Sequence, residues 1–213
     1  MNDSPAGILL SVIAAIYLGN WWWRDFRLTR AGAAPADPLP GAFPCAGYFI
    51  IAGTLGAVVI PVLETVAELV VGVSHEQSNI SILFLGAMLS AAVIEEVIFR
   101  GYIVVQDRGR GALIASIVVA SFLFSLMHDY LWQYQLPEGV SAWEFWRGFS
   151  FQFTPKGWVS FSFVFTSSLY FYALRFHPRN IHRSLFPCFV AHAAKNIAIF
   201  IIKFAQGHVV GWW

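Results

Sequence analysis

The chain has 213 residues, 58% of them hydrophobic and only 12% charged, with a formal net charge of +1 at pH 7. A soluble domain carries about 25% charged residues, so the composition excludes an ordinary water-soluble fold, and the near-neutral charge gives no reason to expect nucleic acid as a partner. The two cysteines, Cys45 and Cys188, sit in apolar stretches and provide no disulfide framework.

The first apolar run covers residues 8–23. No Lys or Arg precedes it, and Arg24, Arg27 and Arg30 follow it. That charge order predicts an uncleaved anchor with its N-terminus outside, belted at the interface by Trp21, Trp22 and Trp23. Residues 24–42 read as a basic loop rich in Pro and Ala. A second run, 43–73, contains Pro61, which predicts a kink or break. Glu64 and Glu68 share one face at i and i+4. With His75, Glu76 and Asn79 just beyond, they read as the wet end of the span, the alternative being a polar cavity.

A third run spans 80–105 and is followed by the basic turn 106–111. The fourth begins near residue 112 and reaches at least 128. Between 136 and 156, Trp143, Trp146, Phe149 and Phe153 recur near helical spacing. They predict an amphipathic helix lying in the interface, or more sharply a gate for substrate. The fifth run covers 158–176, the loop 177–183 is basic, and the sixth run covers 184–205.

The expectation is therefore an all-α polytopic membrane protein of about six transmembrane helices, forming one integral domain over 1–213. Loops 24–42, 106–111 and 175–183 fall on one face and hold Arg24, Arg27, Arg30, Arg108, Arg110, Arg175, Arg179 and Arg183. The other face holds Arg147 and Lys156, so the positive-inside rule puts the arginines in the cytoplasm.

Charge inside the third run is the exception that needs a reason. Glu95, Glu96 and Arg100 stand where a charge costs about 2.5–3.5 kcal/mol or more. On a helix Glu96 and Arg100 meet at i and i+4, and Glu95 lies about 100° away. The arginine neutralises one carboxylate and leaves the other free for proton transfer. The plainer alternative is a structural ion-pair cluster. His128 in the fourth run, and His192 with Asn196 on one face of the sixth, are also expensive in lipid. Lys195 sits about 100° off that face. A polar cavity shared by the third, fourth and sixth spans accommodates the set.

The three patterns Glu95-Glu96-x-x-x-Arg100, Phe124-x-x-x-His128 and His192-x-x-x-Asn196 occur in this order, each within an expected span. They resemble the signature motifs of the CAAX protease and bacteriocin-processing family of glutamate-type intramembrane endopeptidases, which includes the CAAX prenyl endopeptidase. The resemblance covers about residues 80–205. It implies Glu95 as the base that activates water, His128 as a residue that holds the water, and His192 with Asn196 as stabilisers of the oxyanion. Glu96 and Arg100 match the remaining motif positions and play supporting roles. The substrate implied is a membrane-associated protein or peptide precursor, and the setting a bacterial cytoplasmic membrane. Prenylated substrates do not follow from the resemblance.

Glu95, His128 and His192 also make a plausible zinc set with an open position for water. The H-E-x-x-H helix of zinc proteases is missing from the sequence, and metal-free chemistry without a cofactor is the favoured expectation. Two other functions fit an intramembrane polar set: a non-catalytic immunity or binding protein of the same fold, and a proton-coupled carrier.

Overall fold

The computed structural model describes residues 4–33 and 35–212; the remaining positions of the expected 1–213 domain lie outside the described residues. Six α-helices follow one another: α1 (Pro5–Arg30), α2 (Gly47–Val71), α3 (Phe84–Glu95), α4 (Gly109–Leu126), α5 (Pro155–Phe176) and α6 (Phe186–Ala205). A wide π-helical segment, Glu96–Ile103, continues α3 without a break. Two three-residue strands, β1 (Trp132–Tyr134) and β2 (Phe149–Phe151), pair antiparallel between α4 and α5.

The helix ends follow local chemistry. Ser4 caps α1 by accepting from the Gly7 amide at 3.2 Å, ahead of Pro5 at the first turn. Thr154 does the same for α5 through the Gly157 amide at 3.0 Å, ahead of Pro155. Gly72, at φ 81, closes α2 in the left-handed conformation that glycine adopts without penalty. Pro61 lies inside α2 and does not end it.

Along the bundle α1 packs on α3, α2 on α6 and α4 on α5. The central apolar cluster includes Trp22, Phe26, Phe49, Val97, Phe171 and Leu185. The two ends of the bundle are tied separately. At one end Trp22 Nε1 donates to Pro40 O at 3.1 Å, Leu185 N to Gly41 O at 3.0 Å, and Arg183 Nη1 to Gln106 Oε1 at 3.1 Å. At the other, Ile80 N donates to His208 O at 2.9 Å and Lys203 Nζ to Gln77 Oε1 at 2.9 Å, while Glu68 pairs with Lys156.

Among the described residues four helices are long and apolar enough to cross a membrane: α1, α2, α4 and α6. By length and composition these helices mark an integral membrane protein. The expected six spans are not all of that kind. The third is interrupted by Glu95, Glu96 and Arg100, and the fifth carries Lys156, Arg175 and four serines.

Three other expectations change. The arginines after the first run lie in the last two turns of α1, so the loop begins at residue 31. Trp22 is 2% exposed and belongs to the core, leaving Trp21 and Trp23 as outward tryptophans. The aromatic segment is no amphipathic α-helix: it is a short 3₁₀ stretch, Ala142–Gly148, flanked by the two strands. Gly139, at φ 78, reverses the chain there. Gly148 lies so close to the Tyr134 ring that a Cβ would sit 2.7 Å from Cε2.

Candidate active site

The carboxylates Glu95 and Glu96 stand where α3 widens into the π-helical segment, a distortion that recurs at functional sites. The two neighbours meet opposite fates. Glu96 and Arg100 are both wholly buried, with Oε1 3.2 Å from Nη1. Burial of an ion pair is costly unless further partners satisfy it; α4, α5 and α6 supply some of them, while Glu96 Oε2 and Arg100 Nε and Nη1 are left without a hydrogen-bond partner. Arg100 Nη2 donates to Ser168 Oγ on α5 at 2.9 Å, and Ser168 in turn to Ser121 Oγ on α4 at 3.0 Å. The guanidinium also lies over three rings, 4.6 Å from the centre of Phe124, 5.2 Å from Phe171 and 5.1 Å from Tyr172.

Glu95 points elsewhere, and its side chain retains 23% exposure. His192 on α6 joins the two carboxylates. Its Nδ1 is 2.8 Å from Glu96 Oε1 and its Nε2 is 3.9 Å from Glu95 Oε2. Glu96, paired with Arg100, accepts a hydrogen bond from Nδ1–H and so orients the imidazole ring. The lone pair of Nε2 then faces Glu95 across a gap too wide for a direct hydrogen bond. Phe171 stacks on the imidazole at 4.8 Å and fixes its plane.

His128 lies beyond the end of α4, not within it, because the helix stops at Leu126 and Asp129 turns the chain at φ 50. Its Nδ1 is 2.8 Å from Phe124 O. A carbonyl only accepts, so Nδ1 carries the proton and Nε2 is again left with its lone pair. His128 is within electrostatic reach of His192, Lys195 and Arg100. Asn196 is 7% exposed and donates through Nδ2 to Met88 O on α3 at 2.7 Å, which uses one of its two amide protons.

A cavity of about 270 Å³ with both polar and apolar lining reaches Lys195 and Asp129, and Glu95, Glu96, His128, His192 and Asn196 do not line it. Its wall comes from α2, α5, α6 and the turns beside them, and includes Glu64, Glu76, Tyr130, Lys156, Lys195 and Lys203. This is a different space from the expected cavity between the third, fourth and sixth spans, whose side chains Glu95, Glu96, His192 and Asn196 meet between α3 and α6. Glu64, read above as the wet end of a span, lines this cavity. Lys195 links cavity and carboxylates: it is 6% exposed and within electrostatic reach of both Glu64 and Glu95. Sequence reasoning set Lys195 aside because of its angle to His192, although a lysine inside an apolar run was itself a signal. Ser121 and Ser168, the supports of Arg100, carried no such signal.

No three His, Cys, Asp or Glu side chains among the described residues are grouped as a metal site requires, the set Glu95, His128 and His192 included.

The turn holding His128 presses on the start of α5. A Cβ on Gly157 would sit 2.5 Å from Tyr130 O, a backbone atom with little freedom to move. Gly157→Ala is expected to displace this turn, at about 1–3 kcal/mol for overpacking, and to lower any His128-dependent activity. Thermal unfolding in detergent and turnover measured together check this; wild-type values of both would show that the turn yields freely.

Residues 77–198 match the sequence model of a family described as Type II CAAX prenyl endopeptidase Rce1-like. These residues include all three motif regions and stop two positions beyond Asn196. No curated protein and no solved structure matches the chain.

Proposed function

Because the chain belongs to the Rce1-like family of type II CAAX prenyl endopeptidases, we propose that it is an intramembrane endopeptidase in which Glu95 activates the attacking water. The observation that carries this reading is the division between two adjacent carboxylates. Glu96 is sealed in an ion pair, and Glu95 is part-exposed, 3.9 Å from His192 Nε2.

A water held between Glu95 and the lone pairs on His192 and His128 gives a proton to Glu95 and attacks the scissile carbonyl carbon. The remaining Asn196 amide proton stabilises the oxyanion. Protonated Glu95 then delivers its proton to the departing amine, and the C–N bond breaks. One water is consumed, and Glu95 returns to the carboxylate. Glu96 keeps His192 in orientation, as an acidic residue does for the histidine of a hydrolytic triad.

In this reading α3 with its π-helical segment, 12 and 8 residues long, and the 22-residue α5 complete six crossings. Each meets the need for about 20 residues per bilayer. The whole chain then acts as one domain of a bacterial cytoplasmic membrane, and the substrate is a membrane-associated protein or peptide precursor.

Asn196→Ala is expected to lower kcat about 10²–10³-fold, the usual cost of an oxyanion donor, with KM little changed. Steady-state kinetics on a cleaved peptide decide it. A rise in KM at unchanged kcat would remove Asn196 from the transition state and make it a binding residue.

A further inference from the structure

The two ends of the bundle differ in charge, and the cavity opens at only one of them. Arg24, Arg27, Arg30, Arg108, Arg110, Arg175, Arg179 and Arg183 all belong to the end where α1, α3 and α5 finish. The opposite end, where α2, α4 and α6 finish, carries Arg147, Lys156 and Lys203 as its basic residues. Every non-helical part of the cavity wall lies at this second end. Glu76, Gln77 and Ser78 come from the α2–α3 turn, and Asp129, Tyr130 and Thr154 from the α4–α5 connection. Ile202 and Lys203 come from the last turn of α6. Flanking arginines set orientation by remaining in the cytoplasm.

We propose that the cavity is entered from the extracytoplasmic side of the membrane, by a polar segment of peptide. The lining supports the second half of this statement as well as the first. Beside the apolar Pro61, Val164, Ile199 and Ile202, this wall holds both signs of charge in Glu64, Glu76, Lys156, Lys195 and Lys203, which a bare isoprenoid or acyl chain would leave unmatched. These groups suit a hydrated peptide with charged or hydrogen-bonding side chains. The exposed rings of Trp143, Phe145 and Trp146 lie on the same α4–α5 connection, where an aromatic belt holds that end at the outer interface. The peptide as partner rests on the endopeptidase reading; the side of entry does not.

Single cysteines test it, in a Cys45→Ser background that keeps the buried Cys188. Ser78→Cys at the rim, Thr65→Cys in the wall and Asp107→Cys at the arginine-rich end are each treated in intact cells with a membrane-impermeant sulfonated maleimide. The expected result is labelling of Ser78→Cys and Thr65→Cys at once, with Asp107→Cys labelled only after permeabilisation. The reverse pattern would overturn the side of entry. Labelling at Ser78→Cys with none at Thr65→Cys, even after permeabilisation, would overturn entry of a polar segment. Labelling needs no turnover, so a failure here leaves the hydrolytic reading standing, and an inactive enzyme leaves the labelling result intact.

Discussion

Glu95→Gln is expected to abolish peptide hydrolysis and to leave the protein folded. The amide keeps the shape and hydrogen-bonding reach of the carboxylate but takes no proton from water. Positioned acid–base groups contribute about 10²–10⁴ in rate, and Glu95 is asked both to accept and to return the proton. Folding is expected to survive because the Glu95 side chain is part-exposed and 3.9 Å from its nearest histidine nitrogen, outside the buried ion pair. The check is turnover beside a thermal midpoint in detergent. Activity within tenfold of wild type would remove Glu95 from the base role, and a collapsed midpoint would make it a structural residue.

Arg100→Ala is the opposite kind of change, expected to fail in folding first. It removes the counter-charge of a fully buried Glu96 and the centre of a cage formed by Phe124, Phe171 and Tyr172. Leaving one member of a buried pair unpaired costs about 3–5 kcal/mol, a large part of the margin of an ordinary protein. Folded yield and thermal midpoint should both fall. Adding Glu96→Gln to Arg100→Ala should recover part of the stability, since no bare charge is then buried. It should not recover turnover, because His192 Nδ1 then lacks the carboxylate that orients it. A well-expressed, active Arg100→Ala protein would show that the pair supports neither fold nor chemistry.

The contrast between these variants follows from what the sequence could and could not reveal. The pairing of Glu96 with Arg100 was legible from a four-residue spacing inside an apolar run, where no other inexpensive arrangement exists. It survives even though this stretch is π-helical, a detail that spacing does not encode. The convergence of His192 on the same carboxylates was legible from the cost of polar groups in lipid. Its contact with Glu96 was not, because that depends on how α6 packs on α3.

Short-range geometry caused the misreadings. The segment around Trp143 has near-helical aromatic spacing, yet with Gly139 turning the chain and Gly148 close against Tyr134 it forms a short 3₁₀ stretch between two paired strands. Glu64 resembled the wet end of a span because Glu68 shares its face and His75, Glu76 and Asn79 follow, whereas it lines a cavity with residues of α5 and α6. Lys195 was discounted by its angle on one helix, although the cavity is bounded by several.

The most direct measurement is a comparison of wild type and Glu95→Gln, each co-expressed with membrane-associated candidate precursors whose new termini are read by mass spectrometry. The account predicts a truncated product with a defined new N-terminus in wild-type cells, and only the intact precursor beside an equally abundant, folded Glu95→Gln protein. The same new terminus appearing with both proteins would contradict a cleavage mechanism in which Glu95 activates water.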